Sequence, residues 1–161
     1  MRTWRVDCAR LGQVTSTIRV GSAGLNVSDL DRSVRFYREA LGFAVVRRGD
    51  DAGHSWAHLG LEDDVMLTLW EQAVSHVDHG AAGLHHISFE LASVAALVEA
   101  EARLRAMGAH LREDGPQAPG GQVFCRDPDG IRVELYTEEP TPPAPAGSLP
   151  RCGFYEELDV R

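Results

Sequence analysis

The chain has 161 residues, of which 43% are apolar and 25% charged, proportions typical of one soluble globular domain. Its 24 acidic and 16 basic side chains give a net charge of −8, and without a basic run this argues against nucleic acid or an anionic membrane surface as a partner. No apolar run reaches the length of about 18 residues that a transmembrane helix needs, so none is expected.

Cysteine usage and the first residues of the chain bear on its compartment. The three cysteines, Cys8, Cys125 and Cys152, are odd in number and widely spaced, which favours reduced thiols over a disulfide framework. The segment MRTWRVDCARLGQ has no apolar stretch of the kind that a secretory signal needs. We therefore expect a cytoplasmic protein in which Cys125, inside an apolar strand pattern, is a small core residue.

The first predicted elements are a strand and a helix, preceded at residues 3–20 by a segment expected to be a peripheral strand or extension. The strand is indicated by apolar residues at every second position, Ala23, Leu25 and Val27. Ser28 is the expected N-cap of the helix, and Gly42 is expected to end it. The helix has an apolar stripe at helical spacing, formed by Leu30, Val34, Tyr37 and Leu41.

Three strand patterns, FAVVRR, SWAHLGL and VMLTLWE, complete the first half, and the same order of elements then returns. HISFEL predicts a strand, SVAALVEAEARLRAMG a helix, and HLREDGPQAPGG a strand leading into a loop. QVFCRD and IRVELYT predict two further strands, with a tight turn at DPDG between them. The apolar face of this second helix is formed by Leu97, Ala100, Leu104 and Met107. Each copy reads β-α-β-β-β, and two copies that start about 64 residues apart indicate a duplicated module.

Two parts of the sequence resemble one known family. LNVSDLDRSVRFYREALGF resembles the first strand and helix of a module in the vicinal oxygen chelate superfamily. GLHHISFEL together with FCRDPDGIRVELY resembles the start and end of the second module, so that the resemblance covers roughly residues 20–137. The superfamily contains glyoxalase I, type I extradiol dioxygenases, fosfomycin-resistance enzymes and bleomycin-binding proteins.

The resemblance implies an α+β fold in which two βαβββ modules form a curled mixed sheet around a central cavity, with the helices outside. We predict a single domain at residues 1–137, with module one at about 20–75 and module two at about 83–137. A Pro-rich tail follows at residues 138–161. The resemblance also implies a homodimer, and the tail is expected to cover a cavity mouth or the partner subunit.

In metal-using members of the superfamily, the ligands come from the first and last strands of the modules. At the resembling positions this chain has Ser22, Thr68, His86 and Glu134. The second module matches the metal pattern at His86 and Glu134, whereas Ser22 stands where histidine is usual and Thr68 where glyoxalase-like members often have glutamate. A divalent cation (Fe, Mn, Ni or Zn) would need a further ligand, for which His58 is the best substitute.

Strand alternation, independently of the resemblance, places His86 and Glu134 on the cavity side of their strands. Ile87 and Phe89 form part of the opposite, apolar set, and His85 is expected to cap the strand or to point away. The other side chains expected to line a ligand pocket are Ser22, Trp56, Thr68, Trp70, Ser88, Phe124, Arg132 and Tyr136.

Two functions fit these residues. The first is an enzyme of the glyoxalase or extradiol dioxygenase type, acting on a small molecule with adjacent oxygens that a bound metal polarises. The second is a metal-free protein that sequesters an antibiotic or an aromatic metabolite, which Ser22, Thr68 and the cavity-facing aromatic residues favour. His86 and Glu134 also fit a metal-free acid–base dyad or a structural hydrogen-bonded pair. Their presence on separate strands favours the enzyme.

Overall fold

The repeated β-α-β-β-β pattern is present in the computed structural model, which describes residues 21–112 and 121–140. These residues fall into two units, one reaching to Ala81 and including Asp127–Gly130, the other made of the rest. The predicted α+β class with two βαβββ modules is confirmed. The predicted segment at residues 3–20 and the tail after residue 140 lie outside the described residues, and the single-domain boundaries stay a prediction.

The first unit is a four-stranded sheet with one helix, and its strand order is β1-β4-β3-β2. Strand β1 runs parallel to β4, and the other neighbours are antiparallel. The elements are β1 (Ala23–Val27), α1 (Leu30–Leu41), β2 (Ala44–Asp51), β3 (His54–Leu61) and β4 (Asp64–Glu71).

Helix α1 begins one residue later than the sequence predicts. Its N-cap is Asp29, whose carboxylate accepts a hydrogen bond from the Arg32 amide at 2.9 Å, so the prediction of Ser28 was wrong. Gly42 ends the helix as predicted, with a φ of 74° in the left-handed region that glycine adopts without strain.

The core of the first unit lies on the apolar face of the sheet, as the alternation of the strands predicts. Its fully buried strand residues are Val27, Ala57, Leu59, Leu67 and Leu69. The same alternation, continued from Ala57 and Leu59, predicts that Leu61 also packs inward, and this is wrong, because the side chain is 49% exposed. The β3–β4 register shifts between Leu59 and Gly60, where a Cβ would lie only 1.8 Å from the Asp64 carbonyl oxygen. Only glycine fits this bulge, which breaks the alternation just before Leu61.

A buried carboxylate, Asp129, satisfies the polar groups at the start of α1. It is 2% exposed and accepts hydrogen bonds from the Ser28 amide at 3.1 Å and from the hydroxyls of Ser28 and Ser33. The Arg32 guanidinium completes the set at 3.2 Å. The negative charge thus lies at a helix N-terminus, where the helix dipole favours it.

The DPDG segment that contains Asp129 forms the predicted tight turn. The Gly130 amide donates to the Asp127 carbonyl oxygen at 3.0 Å, and the Asp129 amide donates to the Asp127 carboxylate at 3.0 Å. The second carboxylate oxygen of Asp127 accepts from the hydroxyl of Tyr37 on α1 at 3.0 Å. Both buried aspartates therefore have hydrogen-bond donors, as buried charges require.

The second unit repeats the architecture with strand order β5-β8-β7-β6, in which β5 and β8 are parallel. Ser93 is the N-cap of α2 and accepts a hydrogen bond from the Ala96 amide at 3.1 Å. The predicted apolar face of α2 is buried at Leu97, Ala100 and Leu104. The elements are β5 (Ile87–Glu90), α2 (Val94–Ala106), β6 (Leu111–Arg112), β7 (Gln122–Arg126) and β8 (Arg132–Tyr136).

Within the described part of the chain, neither helix is long and apolar enough to span a membrane.

Replacing Asp129 with alanine is expected to lower the free energy of unfolding by about 3 kcal/mol, because it leaves the buried Ser33 hydroxyl and the Ser28 amide without their acceptor. Asp129→Asn, which keeps one carbonyl oxygen, should lose less. The matched control is Asp31→Asn, which removes an exposed ion pair with Arg48 and should cost at most about 0.5 kcal/mol. Urea unfolding followed by circular dichroism measures all three, and equal losses for Asp129→Ala and Asp31→Asn would refute this role.

Candidate functional site

The sheet of the second unit has one apolar and one polar face, set by the register of its three longer strands. Rows of paired residues run across β5, β8 and β7, and successive rows alternate between the faces. The apolar rows are Ile87–Val133–Cys125 and Phe89–Leu135–Val123. The polar-face rows are Ser88–Glu134–Phe124 and Glu90–Tyr136–Gln122, with Arg132 paired to Arg126 beyond them. Six of the predicted site residues thus lie on this face or at its edge: His86, Ser88, Phe124, Arg132, Glu134 and Tyr136.

Glu134 is the centre of the polar face. Its Oε2 accepts a hydrogen bond from the Ser88 hydroxyl and lies 3.4 Å from Nε2 of His86. The carboxylate is 17% exposed and the imidazole 36%, so both groups can be reached from solvent. Oε1 of Glu134 has no hydrogen bond to any residue that the structure describes. The site therefore presents an oriented carboxylate with one oxygen available.

The His86 ring, which directly precedes β5, is held from two further sides. The Phe124 ring meets it edge-on, with ring centroids 6.2 Å apart and an angle of 81° between the planes. On the other side, Nδ1 of His86 lies 2.7 Å from Nδ1 of His85. This contact orients the imidazole relative to Glu134.

His85 is the part of the site that the sequence prediction missed. Its Nδ1 bonds to His86, and its Nε2 lies 3.0 Å from a terminal nitrogen of Arg132. His85 is therefore neither a strand cap nor turned away from the site. The sequence contained one signal for this role of His85. Arg132 lies on the predicted cavity side of β8, two residues before Glu134, and its guanidinium can donate a hydrogen bond to a side chain at the edge of β5.

Three of the predicted site residues in the first unit form an aromatic patch: Trp56, His58 and Trp70. Trp56 lies 4.7 Å from His58 and 6.2 Å from Trp70, measured between ring centroids. The indole of Trp56 covers Gly49, where a Cβ would come within 2.6 Å of the ring. Thr68 pairs with His58 across β3 and β4, and is half-buried.

Ser22 lies immediately before β1 and therefore belongs to no strand, and its side chain is exposed. The histidines of the loop after β4, His76 and His79, are also exposed.

The residues of the second unit do not make up a complete metal shell. His86 and Glu134 supply one nitrogen and one oxygen donor, which are suitable types for a divalent cation but fewer than the three protein ligands that such sites commonly use. Across residues 21–112 and 121–140, no three His, Cys, Asp or Glu side chains are arranged to hold a metal ion. His58 as a third ligand stays a prediction.

Burial raises the pKa of Tyr136, and the nearby carboxylates Glu90, Glu138 and Glu134 raise it further. Desolvation and negative charge both disfavour the phenolate. The polar face therefore keeps a neutral phenol in the row next to Glu134.

The comparisons with known protein families, sequences and structures agree on one superfamily. The sequence profile of the Glyoxalase/Bleomycin resistance protein/Dioxygenase superfamily matches residues 19–135. A lactoylglutathione lyase of Haemophilus influenzae is 35% identical over 127 residues, which cover 73% of this chain and 90% of that protein. A lactoylglutathione lyase of Arabidopsis thaliana is 37% identical over 125 residues, or 72% of this chain. The match spans only 43% of the plant protein's length.

A solved structure shows the same fold. The crystal structure of a glyoxylase/bleomycin resistance protein/dioxygenase domain from Frankia sp. EAN1pec superposes with a TM-score of 0.67 at 30% identity. The similarity covers 76% of this chain and 93% of the Frankia chain.

The raised pKa of Tyr136 predicts a loss of stability at alkaline pH. The folded protein holds this proton more tightly than the unfolded chain does, so the stabilisation is fully present below about pH 10 and is lost as the pH rises through the raised pKa. Glu90→Gln removes one of the charges and should lower this pKa, whereas Glu99→Gln on α2 should not change it.

The measurement is an NMR titration of ¹³C-labelled tyrosine rings, with Tyr136→Phe to assign the signal. An identical pKa in wild type and Glu90→Gln, or a pKa below the ordinary value, would contradict this electrostatic picture.

Proposed function

Because the chain belongs to the Glyoxalase/Bleomycin resistance protein/Dioxygenase superfamily, we propose that it is an enzyme that moves a proton on a small molecule with oxygens on adjacent carbons. One observation carries the proposal: Glu134, on the polar face of the second sheet, is held by Ser88 and His86 and keeps one carboxylate oxygen available. A positioned, accessible carboxylate is a common general base.

The similar proteins favour a thioester of a hydroxy acid as the substrate class. Two relatives are named for lactoylglutathione, and one of them is matched over 90% of its length. A lactoyl group has a hydroxyl and a carbonyl on adjacent carbons. The hydrogen on the hydroxyl-bearing carbon is acidified by the neighbouring carbonyl, so a base can remove it.

In the proposed reaction, Oε1 of Glu134 removes the hydrogen of the hydroxyl-bearing carbon as a proton, and the resulting enediolate takes a proton back from this carboxyl group at the neighbouring carbonyl carbon. The hydroxyl proton passes to the former carbonyl oxygen, so that the two oxygens exchange roles and no proton is gained or lost overall. While the proton is on Glu134 it can exchange with solvent. Oε2 stays hydrogen-bonded to Ser88, which fixes the direction of the carboxylate. His86 lies against the same oxygen and restricts the carboxylate further. Phe124, Arg132 and Tyr136 are proposed to line the substrate's surroundings on this face. The role of Ser22, Trp56, Thr68 and Trp70, in the first unit, as pocket residues stays a prediction.

His86 and Glu134 are the two donors that a divalent cation (Fe, Mn, Ni or Zn) would use if one bound, and such a cation would supply a Lewis acid for the substrate oxygens. No step of the proposed reaction depends on a cation, because the described residues of the second unit provide two donors only. A homodimer, expected from the resemblance, is likewise a proposal, which analytical ultracentrifugation tests.

Glu134→Gln should lower turnover of a lactoyl-thiol substrate by a factor of roughly 100 to 10,000, the contribution usual for a general base. The same variant should abolish the incorporation of solvent deuterium at the substrate carbon. Ser88→Ala should cause a smaller loss, of about tenfold, since it removes one hydrogen bond that orients the base. The measurements are a coupled turnover assay and mass spectrometry of the substrate in deuterated water, each with added chelator and with each cation.

The matched control is Glu90→Gln, a carboxylate on the same face and the same strand as Ser88, which should keep wild-type turnover. Unchanged turnover and deuterium uptake in Glu134→Gln would reject the proposed base. Turnover by the wild type that needs an added cation would replace the metal-independent step with a metal-assisted one.

A second candidate function is supported by the aromatic patch of Trp56, His58 and Trp70. Three flat side chains on one sheet face suit the binding of a planar apolar ligand, such as an antibiotic or an aromatic metabolite. If no substrate turns over, quenching of tryptophan fluorescence by aromatic compounds, lost in Trp56→Leu, would support this binding function.

A further inference from the structure

Arg132, His85, His86 and Glu134, here called the histidine relay, form a row of polar groups in the second unit, in which the first two contacts are hydrogen bonds and the last is an ion-pair distance. The three contacts are 3.0 Å from Arg132 to His85, 2.7 Å from His85 to His86, and 3.4 Å from His86 to Glu134. The row begins with a guanidinium, which only donates hydrogen bonds and keeps its protons in proteins. It ends with a carboxylate, which accepts them.

The direction of each contact follows from the arginine. Because Arg132 donates, Nε2 of His85 must accept and carries no hydrogen. A neutral imidazole has one N–H, so the hydrogen of His85 is on Nδ1 and points to Nδ1 of His86. That nitrogen of His86 must then accept, which leaves the hydrogen of His86 on Nε2, the nitrogen that lies 3.4 Å from Oε2 of Glu134.

We propose that Arg132 and His85 are positioning residues that fix the tautomer of His86, so that its Nε2 carries the hydrogen of the ring and offers no lone pair to a metal ion. The inference goes beyond the proposed function and does not depend on it, because it concerns where one hydrogen lies and not which reaction occurs. It also gives a reason, additional to the number of ligands, why the second unit does not suit a cation.

A cation at Nε2 of His86 would force the hydrogen of this ring to Nδ1. That N–H would face the N–H of His85, and His85 cannot accept at both nitrogens while it remains a neutral imidazole. One contact, either Arg132–His85 or His85–His86, must therefore break when a metal binds. The loss of one hydrogen bond corresponds to an affinity lowered by about two- to tenfold.

The first test is an NMR measurement of histidine tautomers in the ¹⁵N-labelled full chain at one fixed pH, by long-range correlation of ring protons with ring nitrogens. We expect His85 with its hydrogen on Nδ1 and His86 with its hydrogen on Nε2. In Arg132→Met and His85→Leu, His86 should become a mixture of tautomers, and Arg132→Lys, which keeps a donor, should restore the wild-type spectrum. Arg105→Met, on α2, is the matched control and should leave both rings unchanged.

The second test is calorimetric titration with Zn²⁺ alone. His85→Leu should bind Zn²⁺ about two- to tenfold more tightly than the wild type, and the additional change His86→Leu should abolish the gain. A wild-type His86 with its hydrogen on Nδ1, or an unchanged tautomer in both Arg132→Met and His85→Leu, would overturn the inference. Zn²⁺ affinity equal in wild type and His85→Leu would overturn its metal-opposing consequence. If the turnover assay fails but the histidine spectra show the expected tautomers, the proposed function is rejected and the inference about His86 stands.

Discussion

The buried carboxylate of Asp129 is the interaction on which the first unit depends most. It supplies the acceptors for two serine hydroxyls, one backbone amide and Arg32 at the start of α1, and the negative charge lies where the helix dipole stabilises it. The Gly130 amide of the same DPDG turn donates to the Asp127 carbonyl oxygen. A change in Asp129 therefore affects both the start of α1 and this turn, which belong to the first unit.

The alternation of apolar and polar residues was sufficient to predict most of both sheets. In β5 and β8, one face must pack against apolar residues, so Ser88 and Glu134 could be placed together before the register was known. Two details were not predictable from local pattern. Ser28 and Asp29 are both good N-caps, and the choice is decided by Asp129, which engages Ser28 from 101 residues away. The exposure of Leu61 follows from the bulge at Gly60, which depends on the Asp64 backbone.

The candidate site likewise has one part that the sequence pattern predicts and one part that it does not. The carboxylate and its serine partner follow from the period of the strands, whereas the arrangement of His85 and His86 does not. Both histidines precede β5, where the alternation no longer fixes the direction of a side chain. Their orientation depends on Arg132, 47 residues from His85, and on a hydrogen-bond direction that only the chemistry of the guanidinium settles.

A proton-transferring carboxylate and a metal-binding carboxylate need different neighbours. A base needs an available oxygen and a fixed donor that orients the other oxygen, and Glu134 has this donor in the Ser88 hydroxyl, with the His86 ring 3.4 Å from the same oxygen. A metal ligand needs a neighbouring imidazole with an available lone pair, and the relay from Arg132 places a hydrogen on that nitrogen. Because arginine does not lose its proton, this bias persists as long as the contact between Arg132 and His85 is intact. His85, although it contacts no substrate in the proposed reaction, thus biases Glu134 towards proton transfer and against metal binding, by about two- to tenfold in cation affinity.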